Sequence, residues 1–329
     1  MTFEEFLKKQ IEKTGYPLEI EVSSRLDKDW DVINTDSYFD KDEGKLRDID
    51  IYASRDFADF FPLVVSASLA IECKKSENFV WVFFTRPFEF DYVNDITGQY
   101  IDELQVRSKR FDLDYISEVI LEKNPLHYYS MKRVAVSYDE FPIDTKKSEY
   151  GEGKKQIFKA ENQLKKYLTY SNEQFLLQPP QEVKLIYISF PCIVFDGTMY
   201  EAILEDGKVE LKKSNHVVLA RSNRAPYSVY DLTFLIDVVT KNYFDRYMKK
   251  INNDVKSCFD MVRKRKRRIL RELEKISWYT LQPDEDFNTC TRFPPNSHRS
   301  EQSHLPKTPR GTQRALFRFQ GINCSGVTH

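Results

Sequence analysis

The strongest constraint on this chain is a change in its apolar period partway along. Leu46-Arg47-Asp48-Ile49-Asp50-Ile51-Tyr52 alternates strictly, the period of a strand with one buried face. Residues 68–74 read as a second such strand, and 79–84 are continuously apolar, as in a strand buried on both sides. The period then lengthens: Ile157, Ala160, Leu164, Tyr167 and Leu168 fall on one stripe of a helix expected over 153–170. Residues 184–190 and 192–195 return to strand character. Strands, then a helix, then strands again predict an α/β protein with a mixed sheet flanked by helices.

Around this frame the remaining signals are local. Thr2 is an N-cap for a helix carrying Phe3, Phe6, Leu7 and Ile11 at helical spacing, and Gly15 is its stop. Residues 18–22 alternate and predict a strand, and an extended segment begins at 31–33. Residues 42–45 read as a turn. Asp196-Gly197 and Asp206-Gly207 are hairpin signals. Residues 85–150 are less regular and read as an insertion, with helical character at 111–123 and a strand at 133–137. Residues 232–239 predict a strand, and a helix starts near Tyr243. The expected organisation is a core over 1–195 with the insertion at 85–150, an α+β extension over 196–276, and a disordered tail over 277–329. That tail is rich in Pro, Ser, Thr, Asn and Gln and lacks apolar periodicity.

Composition excludes several classes. The 329 residues are 41% hydrophobic and 31% charged, which suits a globular protein rather than a low-complexity one. No apolar run approaches the ~20 residues of a membrane helix, and the N-terminus carries no secretory pattern, so a cytoplasmic protein without a membrane partner is expected. Fifty basic and fifty-one acidic side chains nearly cancel, leaving local clusters to indicate partners. The five cysteines are scattered without a C-x-x-C pair, which predicts reduced thiols rather than a disulfide framework or zinc site. His127 and His216 have no partner in sequence and read as ordinary histidines.

The residues that carry chemistry are Asp50, Glu72 and Lys74. Glu72 and Lys74 are two apart on a strand and share a face, with Cys73 turned to the core. If the Asp50 strand pairs alongside, two acids and an amine converge. A buried carboxylate needs a cation. Two carboxylate oxygens and a backbone carbonyl suit Mg²⁺, and Mn²⁺ as its substitute.

Arg47-Asp48-Ile49-Asp50-Ile51 followed by Ala70-Ile71-Glu72-Cys73-Lys74-Lys75 resembles the D-x(n)-E-x-K signature of the PD-(D/E)xK nuclease superfamily, with Glu72 22 positions after Asp50. The resemblance implies a restriction-endonuclease-like fold, with Asp50, Glu72 and the backbone carbonyl of Cys73 as metal ligands and Lys74 as the catalytic lysine. It also implies a helix-borne acid, for which Glu4 is the choice, sharing a phase with Leu7 and Ile11. Gln163 and Tyr167 resemble a Q-x-x-x-Y element, whose i and i+4 positions share a helical face. The implied activity is Mg²⁺-dependent hydrolysis of phosphodiesters, in DNA rather than RNA, leaving a 5′-phosphate. The alternative is an inactive nuclease-like module that binds nucleic acid or a protein partner. Arg263, Lys264, Arg265, Lys266, Arg267 and Arg268 form a basic run suited to phosphate contacts. A second copy of the chain is a further candidate partner.

Overall fold

Two short helices open the chain, and only the second packs. The structure, a computed structural model, describes residues 1–60, 63–88, 126–144, 155–177, 184–223 and 232–279. Helix α1 (Phe3–Glu12) starts in a reciprocal capping box. The Thr2 hydroxyl accepts from the Glu5 N–H at 3.2 Å, and the Glu5 carboxylate accepts from the Thr2 N–H at 2.8 Å. None of its residues is buried. Gly15 stands at the N-cap of α2 (Tyr16–Ser24), with a proline in the first turn. The strand expected over 18–22 is therefore a helix. Leu18 and Val22 are buried one turn apart, whereas Ile20 between them is 65% exposed. An i, i+4 pair with one exposed apolar residue between them mimics alternation over five residues.

Among the described residues, ten strands form one mixed sheet, in the order β1-β2-β3-β6-β10-β9-β5-β4-β7-β8. β1 (Asp31–Asp40), β2 (Lys45–Phe60) and β3 (Leu63–Lys75) make an antiparallel meander. Helix α3 (Lys155–Leu177) leads into β6 (Lys184–Asp196), which lies parallel to β3 with Lys74 beside Phe195. β10 (Leu232–Thr240) is parallel to β6 and antiparallel to β9 (His216–Asn223). β4 (Phe79–Pro87) pairs with β5 (Arg133–Pro142) and with β7 (Met199–Glu205), and β7 pairs with β8 (Lys208–Ser214).

Several expectations change in this topology. β5 is hydrogen-bonded into the sheet between β4 and β9, so 85–150 is not wholly an insertion; the helical stretch expected at 111–123 lies outside the described residues. The sheet runs across the expected 195/196 division, because β10 pairs with β6. Asp196-Gly197 is no hairpin: β6 and β7 do not pair, and the chain passes between distant positions in the sheet. Gly197 is required there by close approach, since a Cβ would fall 2.3 Å from the Phe195 ring. Asp206-Gly207 does close a two-residue hairpin, with φ of 50° and 74°, the paired positive values of a type I′ turn. Within β4, Trp81 and Phe83 are inaccessible, but Phe84 is 40% exposed.

Two cores cover the two sides. One packs Leu18 and Val22 of α2 and the stripe Tyr247, Met248, Ile251, Val255, Cys258, Val262 of helix α4 (Phe244–Tyr279) against Leu69, Ile71, Cys192 and Leu235. The other packs Ile157, Ala160, Leu164, Tyr167 and Leu168 of α3 against Ala70, Ile193, Phe195 and Ile236. The α3 stripe is the one its spacing predicts, though the helix continues to Leu177. α4 likewise runs to Tyr279, three residues into the expected tail; 280–329 lie outside the described residues. Cys73, Cys192 and Cys258 are buried free thiols. No described helix is long and apolar enough to cross a membrane.

The Trp81 and Phe195 rings stack at 3.7 Å and 9°, joining β4 to β6 within the α3-side core although the two strands are not neighbours in the sheet. Leu164→Ala removes an inaccessible side chain from that core and is expected to cost about 2–5 kcal/mol in urea unfolding.

Candidate functional site

The β1–β2 ladder is interrupted where the site begins. Asn34 pairs with Ile51 and Asp36 with Ile49, but Thr35 and Asp50 between them are unpaired, and Thr35 has φ of 62°. A β-branched residue in the left-handed region is strained. The strict alternation of β2 fails at the same point: Ile51 packs in the α4-side core and Ile49 in the α3-side core. Asp50 thus occupies the residue at which β2 turns over. Its carboxylate, instead of a backbone carbonyl, accepts the N–H of Cys73 at 2.7 Å.

Glu72 and Lys74 approach from β3. The Lys74 ammonium donates to Glu72 Oε2 at 2.5 Å and stands 3.6 Å from Asp50 Oδ2. The three expected residues are therefore together. The Glu72 side chain is 0% exposed, and its Oε1 has no hydrogen-bond partner. Burial pushes its carboxyl up to about 8, with the charge of Asp50 adding and that of Lys74 opposing. Burial works against charge on Lys74 as well, but Glu72 and Asp50 outweigh it and raise the ammonium's pKa. The Tyr38 phenol is pushed up to about 12 by burial and by Glu72.

Asp50 and Lys74 line an open cleft of about 320 Å³ at the end of β3, with Glu72 buried behind them. Cys73, whose carbonyl is the third expected oxygen donor, lines it too. α2 contributes Glu19, whose carboxyl is raised by burial and by the neighbouring Asp50. Sequence reasoning misses Glu19, because 18–22 reads as a strand; Pro17 after Gly15 is the signal that would place it on a helix. Glu4, the acid expected to reach the site, is exposed on α1 and is not among the cleft residues. α1 buries nothing, so no packing force holds that helix face against the sheet.

From α3 the cleft takes Gln156, Lys159 and Gln163, on one helical face. Gln163 is thus at the site as expected, and Tyr167 is not. Tyr167 is buried, its hydroxyl donates to Asp36 at 2.7 Å, and its ring meets Tyr38 edge-on. One face of a long helix here serves the cleft at one end and the core at the other. Glu140 already accepts the amides of Gln156 and Ile157, at 3.1 and 2.9 Å, closing the first turn. Lys13, Lys75 and Lys159 line the cleft along with Lys74. The basic run lies on α4 between buried Val262 and Ile269, with Arg263, Lys264, Arg267 and Arg268 exposed and Arg265 and Lys266 half-buried.

No family model matches this chain, and no curated protein or solved structure is significantly similar to it. Its chemistry is read from the cleft itself.

An ion pair anchors α3 beside the site. Asp40, 2% exposed at the end of β1, accepts two bonds from the Lys166 ammonium at 2.8 and 3.0 Å. Burial acts to raise the Asp40 carboxyl, but Lys166 and the amides of Glu43 and Asp42 outweigh it, and the pKa lies below the ordinary 3.8. A depressed carboxyl contributes stability above its unfolded pKa and loses it as pH falls through the folded one. Lys166→Met is therefore expected to be less stable than the parent at pH ~6, and the gap to narrow below about pH 4, measured by urea unfolding at both.

Proposed function

We propose that this protein is a metal-dependent nuclease that hydrolyses phosphodiester bonds in DNA at the cleft lined by Asp50 and Lys74, with Glu72 paired to Lys74 behind it. The observation that carries the reading is Lys74 held between two acids from neighbouring strands, in a cleft lined by further lysines. The order α2, β1-β2-β3 meander, α3, then β6 parallel to β3 follows the restriction-endonuclease-like core and supports it.

The residues fit a hard divalent cation. Glu72 offers an unpartnered oxygen on a fully buried carboxyl, Asp50 stands across the strand pair, and the Cys73 carbonyl is the third donor. All are oxygen ligands, as Mg²⁺ or Mn²⁺ requires, with water and phosphate completing the shell. Such an ion supplies Lewis-acid polarisation of the phosphate and a lowered pKa for an attacking water.

Each residue then has a part. Lys74 places a positive charge where negative charge develops on the phosphate, or holds the attacking water; its flexible stem lets it exchange a carboxylate for a phosphate oxygen. Glu19, with its raised carboxyl, takes the helix-borne acid's place that Glu4 does not fill. Gln163 and Lys159 hold the substrate from the α3 side. The exposed cations of α4 add sequence-independent affinity for the DNA backbone.

Plasmid and linear DNA incubated with Mg²⁺ or Mn²⁺ should be cleaved by the purified chain. Lys74→Ala and Asp50→Asn should each lower the rate by at least about 10²-fold, with folding checked by circular dichroism. Glu19→Gln should also lower it, whereas Glu4→Gln should leave it unchanged. Cleavage that survives both Lys74→Ala and Asp50→Asn, or a parent chain that binds DNA without cutting it, rejects the proposal; the latter identifies a binding module instead.

Neutralising Arg263, Lys264, Arg267 and Arg268 tests the second surface. DNA affinity by fluorescence anisotropy should fall more at low than at high salt, and the slope of log K against log salt should shrink by about 0.9 for each phosphate that is no longer neutralised. An unchanged slope removes α4 from the interface.

A further inference from the structure

On the opposite face of the sheet, three ligand atoms from three distant segments meet around one point. Glu72 is in register with Ile193, which packs toward α3; Asp237 of β10 is in register with Cys192, which packs toward α4. The two clusters are therefore separated by the sheet. Asp237 is fully buried. Its Oδ1 is 3.0 Å from Nε2 of His127, in the 3₁₀ turn His127–Ser130, and 2.7 Å from Nε2 of His216, the first residue of β9. The three atoms lie within 4.8 Å of one another.

The outward-facing polar atoms are held by a surrounding set of groups. Asp254 of α4 sits 2.6 Å from Nδ1 of His127 and also accepts that residue's backbone N–H at 2.9 Å. Tyr128 and Tyr247 donate their hydroxyls to Asp237 Oδ2 at 2.7 and 3.1 Å. Lys250 lies 3.3 Å from Nδ1 of His216, on the side where that ring is 12% exposed. A histidine whose Nδ1 proton is fixed by a carboxylate presents Nε2 as a lone pair, which is how outer groups orient metal-bound imidazoles. A ligating carboxylate braced by two hydroxyls follows the same rule.

We propose that His127, His216 and Asp237 bind one zinc ion, with Asp254, Tyr128 and Tyr247 positioning the ligands and a water completing the shell. Two imidazole nitrogens and one carboxylate oxygen suit Zn²⁺ and are unsuited to Mg²⁺ or Ca²⁺, which take oxygen. The ion fastens the turn that opens β5's segment to β9, β10 and α4. With Nε2 of His216 on zinc, its Nδ1 carries the proton, so binding would shift Lys250 off that atom toward the Tyr243 ring, 5.5 Å from its ammonium.

The test uses the full-length chain without a histidine tag, equilibrated with Zn²⁺ or Co²⁺ and freed of excess by a weak chelator. Metal content by mass spectrometry should be one equivalent per chain, with Co²⁺ giving the visible bands of low coordination. The Asp50→Asn, Glu72→Gln double variant should keep that equivalent, which separates this site from the cleft. His216→Ala should lose at least about tenfold in affinity, and Asp254→Asn, which keeps all three ligands, about 10–100-fold in chelator competition. A folded parent chain that takes up no zinc, or variants that retain zinc at parental affinity, overturns the proposal; the cluster is then a metal-free hydrogen-bond network.

Discussion

Lys74 and Glu72 form an ion pair at 2.5 Å around a carboxylate with no access to water, and most of the site follows from that burial. A charge taken out of water is expensive unless it is paired and hydrogen-bonded. Here the second acid, Asp50, stands 3.6 Å from the same ammonium and accepts a backbone amide from the strand opposite. The ammonium can balance one acid outright but not two. A second positive group at this point would relieve both the raised carboxyl of Glu72 and its unpartnered oxygen.

Strand geometry makes the convergence. Regular alternation sends residues 49, 51 and 53 to one side, but β2 reverses its facing at Asp50, opposite a threonine with positive φ. Such strain persists only where surrounding packing over-determines it. That packing is present on both sides: α2 buries Leu18 and Val22 on one, and α3 buries its stripe on the other. The Asp40–Lys166 pair ties α3 to the β1–β2 hairpin. The cleft lies where these layers open onto the strand ends.

The same sheet carries a second polar cluster two strands away and on its other face. Its members come from a 3₁₀ turn, β9, β10 and α4, none of them a strand of the meander that builds the cleft. In both clusters a carboxylate is buried on a central strand: Glu72 is met by Lys74 of its own strand, and Asp237 by His216 of β9 and His127 of the 3₁₀ turn.

Period and local chemistry were enough, from the residues alone, to determine the α/β class, the β2 and β3 strands, the α3 stripe and the Asp206-Gly207 turn, and to bring Asp50 to Glu72 and Lys74 on the condition that their strands pair. Each depends on neighbours within a few residues or on one strand pairing. Tertiary structure decided the rest. It placed Glu19 rather than Glu4 at the cleft, because packing and not spacing distinguishes α2 from α1. It split Gln163 from Tyr167, sending one to the cleft and the other to Asp36. It drew β5 and β7 to β10 into one sheet with the core. It also gave His127 and His216 a common partner in Asp237, 110 and 21 positions away in the chain. Long-range pairings of that kind leave no period in the sequence, since any separation brings two residues together once the strands between them are ordered.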